Sequence, residues 1–167
     1  RLDYITEHLD RNYVSKGKIA GCQTLVARHG QVAYFKSLGY ADLAFEVIRL
    51  FSDLPEDALR TIVRESYGTF AHPGVAPLVP VGNAHVLELF HGPTLAFKDV
   101  ALQLVGRLFD EVLREQGRRV TIVGATSGDT GSAAIDGVKD CDNVDIVILY
   151  PHGRTSDVQR RQMTTVQ

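Results

Sequence analysis

The sequence predicts an α/β fold: a parallel sheet with flanking helices, preceded by an N-terminal helix and a β-hairpin. Two observations carry this. In the second half of the chain, short apolar runs alternate with longer stretches of helical periodicity, and strands separated by helices join as parallel neighbours through right-handed crossovers. Near the start, a helical pattern is followed by two short apolar runs joined at His29-Gly30, which is a hairpin signal.

The elements follow in order. Leu2, Ile5 and Leu9 recur at helical spacing, and Gly17 can end that helix. Thr24 to Ala27 and Val32 to Phe35 pair across the turn. A helix from Leu43 to Phe51 would place Ala44, Val47, Ile48 and Phe51 on one side. Pro55 suits the first turn of the next helix, where its missing N–H costs nothing, and Leu59, Ile62 and Val63 form its core stripe. The segment from His72 to Pro80, with three prolines and one glycine, reads as a linker or extended surface segment. Then come a strand from Val86 to Phe90, a long helix from Asp99 to Gln116 ending at Gly117, and a strand from Val120 to Val123. A helix from Gly128 to Val138, a strand from Val144 to Leu149 and a helix from Ser156 to Thr165 complete the pattern.

Composition excludes several classes of function. At 167 residues the chain can bury one ordinary core, or one and a small appendage. A net charge of -2 with scattered basic residues gives no expectation of nucleic-acid or membrane binding. No apolar run approaches a membrane span, and no signal peptide is expected. Cys22 and Cys141 are expected as free, buried thiols in a reducing cytoplasm, and the six histidines show no metal-binding spacing.

Two motifs carry chemistry. In HGPTLAFKDVALQ, His91 to Gln103, a single lysine, Lys98, stands between an apolar stretch and an aspartate at a helix start. Partial burial beside Leu95, Ala96 and Phe97 would favour its neutral form, the form that acts as a Schiff-base nucleophile. Taken alone, FKD is equally an ordinary lysine on a first helical turn. Downstream, the strand RVTIVG leads into ATSGDTGSAAIDGV. There Gly124, Gly128 and Gly131 let the backbone turn, while Thr126, Ser127 and Thr130 offer hydroxyls beside the amides of a helix N-terminus. A carboxylate or phosphate would sit well there, although an N-cap without a ligand has the same composition. The G-x-G-x-x-G spacing of a dinucleotide loop is absent.

PTLAFKD followed by VGATSGDTGSAA resembles the threonine synthase family, pyridoxal-phosphate enzymes of the tryptophan-synthase-β-like fold. The resemblance runs from about Tyr40 through YADLAFEVIRLF, AHPGVAPLVPVG and LELFHGPTLAFKD to ILYPHGRTSDVQRRQMTTVQ. It implies that Lys98 binds pyridoxal 5'-phosphate covalently and later shuttles protons, with Phe97 and Asp129 beside the cofactor. It implies that Thr126, Ser127, Gly128, Asp129 and Thr130 receive the substrate α-carboxylate. The implied reaction converts O-phospho-L-homoserine and water to L-threonine and phosphate. Arg154, with Arg160 and Arg161, has the fork chemistry to meet the substrate phosphate, or forms a solvated basic face. A serine or threonine dehydratase is the nearest alternative, but it commonly carries asparagine where this chain has Asp129.

The opening residues depart from that family. RLDYITEHLDRNYVSKGKIAGCQTLVARHGQVAYFKSLGYADL is similar to the start of a serine β-lactamase-like hydrolase, although hydrolase chemistry is not expected from it. The two resemblances meet at Ser37 to Val47, which divides the chain into residues 1–42 and 43–167. A chimera, a fragment and a divergent N-terminal domain are all compatible with this junction. The family draws its glycine-rich phosphate cup and its pyridine-nitrogen partner from later sequence, so the expectation is a module incomplete as a catalyst, or a non-catalytic body.

Overall fold

Every strand among the described residues pairs with its neighbour in sequence: two antiparallel hairpins, then one parallel pair. The computed structural model describes residues 3–14, 16, 22–28, 31–38 and 40–166. They fall into two units, one running up to Arg64 and including His72–Glu88, the other made of Glu65–Ala71 and the chain from Leu89 onward.

In the first unit, α1 (Asp3–Leu9) continues into a π-turn at Asp10–Val14. The hairpin is formed by β1 (Cys22–Arg28) and β2 (Gln31–Leu38), with Leu25 opposite Phe35 and a bulge at Val26/Ala27. Its turn, His29-Gly30, lies outside the described residues, as do Leu2 and Gly17. The next helix starts earlier than its apolar pattern suggests: α2 covers Tyr40–Ile48 and closes in a 3-10 turn at Arg49–Phe51. Its buried side chain is Phe45, whereas Val47 and Phe51, expected on the core face, are exposed. Polar side chains of the next helix lie beside this face. The Arg60 guanidinium lies 3.8 Å from the centre of the Phe45 ring, and Asp42 lies 3.9 Å from both Arg60 and Arg64.

The helix α3 (Glu56–Gly68) opens on the Pro55 carbonyl, which accepts the Leu59 N–H at 3.0 Å. Leu59, Ile62 and Val63 are buried, as their spacing predicts. The proline-rich segment after α3 is not simply a linker. Its end forms β3 (Leu78–Val81), antiparallel to β4 (Ala84–Leu87), so the expected strand comes two residues early and its partner lies within the supposed linker. Pro80 is tolerated because a two-stranded ribbon has open edges, where a missing N–H breaks no ladder. Gly82, at φ 59°, supplies the left-handed residue that the tight turn requires.

In the second unit, α4 (Asp99–Gln116) ends at left-handed Gly117, followed by β5 (Val120–Ala125), α5 (Asp129–Val138), β6 (Val144–Leu149) and α6 (Asp157–Thr164). The two strands pair in parallel, Ile122 opposite Ile146. Leu113, Val138 and Val144 form the centre of the core, with Val120, Ile122, Cys141 and Ile146 packed around them. Val123, Val147 and Leu149 are exposed on the strands, although parallel sheets are usually covered on both faces. Ser66 and Tyr67, at the end of α3, donate to the carbonyls of Gln103 and Val100 and so fasten α4.

The seam between α4 and α5 matters most for the site. Gln103 Nε2 donates to Asp136 at 2.6 Å, and Gly106 and Gly137 let the backbones touch. An added Cβ on Gly137 would lie 2.5 Å from the Leu102 carbonyl, and one on Gly106 would strike the Gly137 carbonyl.

Candidate active site

Lys98 is the residue just before α4, in αR conformation, and its side chain is half-buried. Leu95 and Phe97 are themselves 68% and 57% exposed, and Lys98 Nζ lies 4.8 Å from the centre of the Phe97 ring. What holds the lysine loop is Asp99, which is fully buried. Its carboxylate accepts the Thr94 N–H at 2.8 Å and the Thr94 hydroxyl at 2.7 Å. Burial pushes the Asp99 carboxyl above its ordinary range, against the pull of these Thr94 hydrogen bonds. The loop closes so tightly on this carboxylate that Gly92 has no room for a Cβ, which would overlap Asp99. Leu95 stands at φ 62°, a strained position for a branched side chain that the clamp maintains.

The second motif lies where its sequence suggests, between the end of β5 and the start of α5. Thr126 spends its hydroxyl oxygen on the loop itself, accepting the amides of Gly128 and Gly131 at 3.3 Å each. The amides of Asp129 and Thr130 have no partner among the described residues, which leaves the first turn with donor capacity for an anion. Ser127, Asp129 and Thr130 are exposed, and Gly128 is buried.

Tertiary folding brings part of the two motifs together. Leu89, Phe97, Lys98, Val100, Ala101, Leu102 and Thr130 line one cleft of about 510 Å³. Lys98 and Thr130 therefore share a cavity, although 31 intervening residues separate them in sequence. Its volume falls within the usual range for small-molecule sites, roughly 300–1,000 Å³. Thr126, Ser127, Gly128 and Asp129 belong to the adjoining loop and do not line this cleft. Arg154 is also outside it, exposed in a turn where its N–H meets the Pro151 carbonyl at 3.2 Å.

Two residues of the region were not singled out by sequence. Gln159 Nε2 donates to Asp129 at 2.6 Å, and Gln162 Nε2 donates to the Thr94 carbonyl at 3.0 Å. The run QRRQ drew attention to its arginines. The spacing of the glutamines, three residues apart and hence on one helix face, was the available signal.

Cys141 is a free thiol, half-buried, with its S–H 3.5 Å from the Gly106 carbonyl. Burial pushes its pKa up to about 11. Among the described residues there is no cluster of metal-ligating side chains and no helix long and apolar enough to cross a membrane. Ser15-Lys16-Gly17-Lys18 is a Ser-x-x-Lys sequence, the pattern that carries the nucleophile in serine β-lactamase-like hydrolases, so spacing does not exclude hydrolase chemistry in the first 42 residues. Ser15 and Lys18 lie outside the described residues.

No family model matches the chain. The threonine synthase of Pseudomonas aeruginosa is 59% identical over 139 residues, covering 81% of this chain and 30% of the relative. That of Saccharomyces cerevisiae is 47% identical over 148 residues, covering 79% and 29%. Among solved structures, the pyridoxal-phosphate-bound threonine synthase of Brucella melitensis matches with a TM-score of 0.72 and 56% identity, over 75% of this chain and 28% of that one. The Escherichia coli enzyme matches with a TM-score of 0.64 and 34% identity, over 78% and 29%. The chain is thus similar in sequence and in fold to threonine synthases, and it spans under a third of their length.

Proposed function

We propose that this chain is the lysine-bearing portion of a threonine synthase, and that it acts on O-phospho-L-homoserine and water to yield L-threonine and phosphate. The observation that carries the reading is the shared cleft of Lys98 and Thr130, in a chain 59% identical to a threonine synthase. The residues present fit pyridoxal 5'-phosphate: apolar walls at Leu89, Val100 and Leu102 suit a planar ring, and Lys98 is the primary amine among them. When bound, the cofactor supplies an electron sink for a substrate carbanion.

The chain's own residues would divide the remaining work. Lys98 anchors the cofactor and then serves as the base that holds the proton removed from the substrate carbon. Phe97 and Asp129 flank the cofactor. The loop of Thr126, Ser127, Gly128, Asp129 and Thr130 orients the substrate α-carboxylate on its open first-turn amides. Arg154 meets the substrate phosphate, for which its exposed position leaves access. The first 42 residues belong to this proposal as a segment of different origin. In support, the relatives leave about a fifth of the chain unmatched. Action in the cytoplasm fits a sequence with two cysteines, Cys22 and Cys141, of which Cys141 is a free thiol.

The test is direct. The chain is mixed with pyridoxal 5'-phosphate, its visible absorption is followed, and the adduct is reduced with borohydride and mapped. The five lysines provide an internal control. Label concentrated at Lys98 is the expected result; even labelling across Lys16, Lys18, Lys36, Lys98 and Lys139 refutes the reading.

A further inference from the structure

From α6 we infer a positioning device: Gln159 and Gln162 set the register between the lysine loop and the anion loop. The inference rests on the reading of Lys98 as the cofactor's anchor. Two hydrogen bonds leave one face of this helix and end on the two motifs. Gln162 Nε2 holds the Thr94 carbonyl, and Thr94 in turn holds the buried Asp99 next to Lys98. Gln159 Nε2 holds Asp129 at the start of α5.

The orientation of Gln159 is fixed on both sides. Its Oε1 accepts the Ser156 N–H at 3.2 Å in a capping box, so its amide group must face Asp129. The side chain also fills the space beside Gly128, where an added Cβ would lie 2.5 Å from Nε2. Met163, the buried residue of α6, lies against Gly131. The helix is therefore seated on the anion loop by packing and tied to the lysine loop by a directed bond. A purely solvated basic helix would need neither.

The test exploits isosteric changes. Gln159→Glu keeps the capping box, which glutamate also satisfies, but turns the 2.6 Å link to Asp129 into a carboxylate pair. Gln162→Glu removes the donor to the Thr94 carbonyl without changing size, and Gln162→Lys restores a donor. In the full chain, two quantities are measured: the pyridoxal 5'-phosphate concentration for half-maximal label at Lys98, and hydrogen exchange of the amides of Thr94, Leu95, Asp99, Gly128 and Gly131. Melting temperature reports folding.

Loss of one such bond is expected to raise the half-saturating concentration about ten-fold in Gln162→Glu, with partial recovery in Gln162→Lys. Exchange should speed up in the lysine loop for Gln162→Glu and in the anion loop for Gln159→Glu. Unchanged exchange in both loops overturns the inference whatever Lys98 does. So does unchanged half-saturation where the parent chain labels Lys98. If exchange responds but the parent chain shows no preference for Lys98, the functional reading fails while the clamp stands. If melting drops in Gln162→Glu, Gln162→Lys decides: recovered melting without recovered labelling overturns a positioning role.

Discussion

Gly137→Ala should weaken the fold and loosen the site together, because Gly137 lies where α4 and α5 touch. The added Cβ would stand 2.5 Å from the Leu102 carbonyl oxygen, about 0.9 Å inside ordinary van der Waals contact. A backbone carbonyl within a helix cannot swing away, so the helices must separate. Overpacking of this kind costs about 1–3 kcal/mol, and occasionally more. Alanine in a helix interior returns about 1 kcal/mol relative to glycine. Because the clash is with a backbone carbonyl, the upper end of that range, about 3 kcal/mol, applies, and the expected net loss is about 2 kcal/mol, equivalent to a melting shift of roughly 4–8 °C in a chain of this size. On α4 the clash falls at Leu102, which itself lines the cleft, and on α5 Gly137 lies seven residues, about 10 Å, beyond Thr130. Separation there is transmitted to the spacing of Lys98 and Thr130. Thermal unfolding and Lys98 labelling are measured together, with Gly68→Ala as control, because a Cβ there meets nothing within 4 Å. A Gly137→Ala protein that melts within about 1 °C of the parent and labels Lys98 equally well would refute the argument.

Two further outcomes follow from buried titratable groups. Asp99 has a raised carboxyl pKa in the folded chain, so between the unfolded value of 3.8 and the folded one the native state holds more protons than the unfolded state. Its contribution to stability therefore falls as pH rises through that window, and Asp99→Asn should flatten the slope there; an identical pH profile of urea unfolding would contradict this. Cys141, pushed from 9.0 to about 11, should have about a hundred-fold less thiolate at pH 8 than an unshifted thiol. Iodoacetamide should modify the Cys141 peptide slowly in the native chain and readily in urea, and equal rates would count against the buried position.

Lys98 and the ATSGDTGS loop were legible as candidates because their residue types and local order carry the signal. α4 and β6 were legible to the residue, since Gly117 ends the helix through its left-handed conformation and β6 is a short apolar run bounded by turn residues. The face of α2 was not. Its buried residue is Phe45, beneath the Arg60 guanidinium of another helix, a contact that no periodicity within α2 records. The hairpin at Leu78–Leu87 was hidden by Pro77 and Pro80, which usually mark a loop but are harmless on the open edge of a ribbon.

By itself the sequence determined which groups can act: one amine beside a helix start, a hydroxyl-rich turn with spare amides, and the order of strands and helices that places both at element ends. Tertiary structure decided how those groups stand to one another. It put Lys98 and Thr130 in one cleft, left Arg154 outside it, buried Asp99 as the brace of the lysine loop, and turned Gln159 and Gln162 toward the two motifs. The physical reason is one of range: propensity and capping act over a few residues, whereas the contacts of Gln159 and Gln162 join positions 30 and 68 residues apart and exist only once the helices have packed.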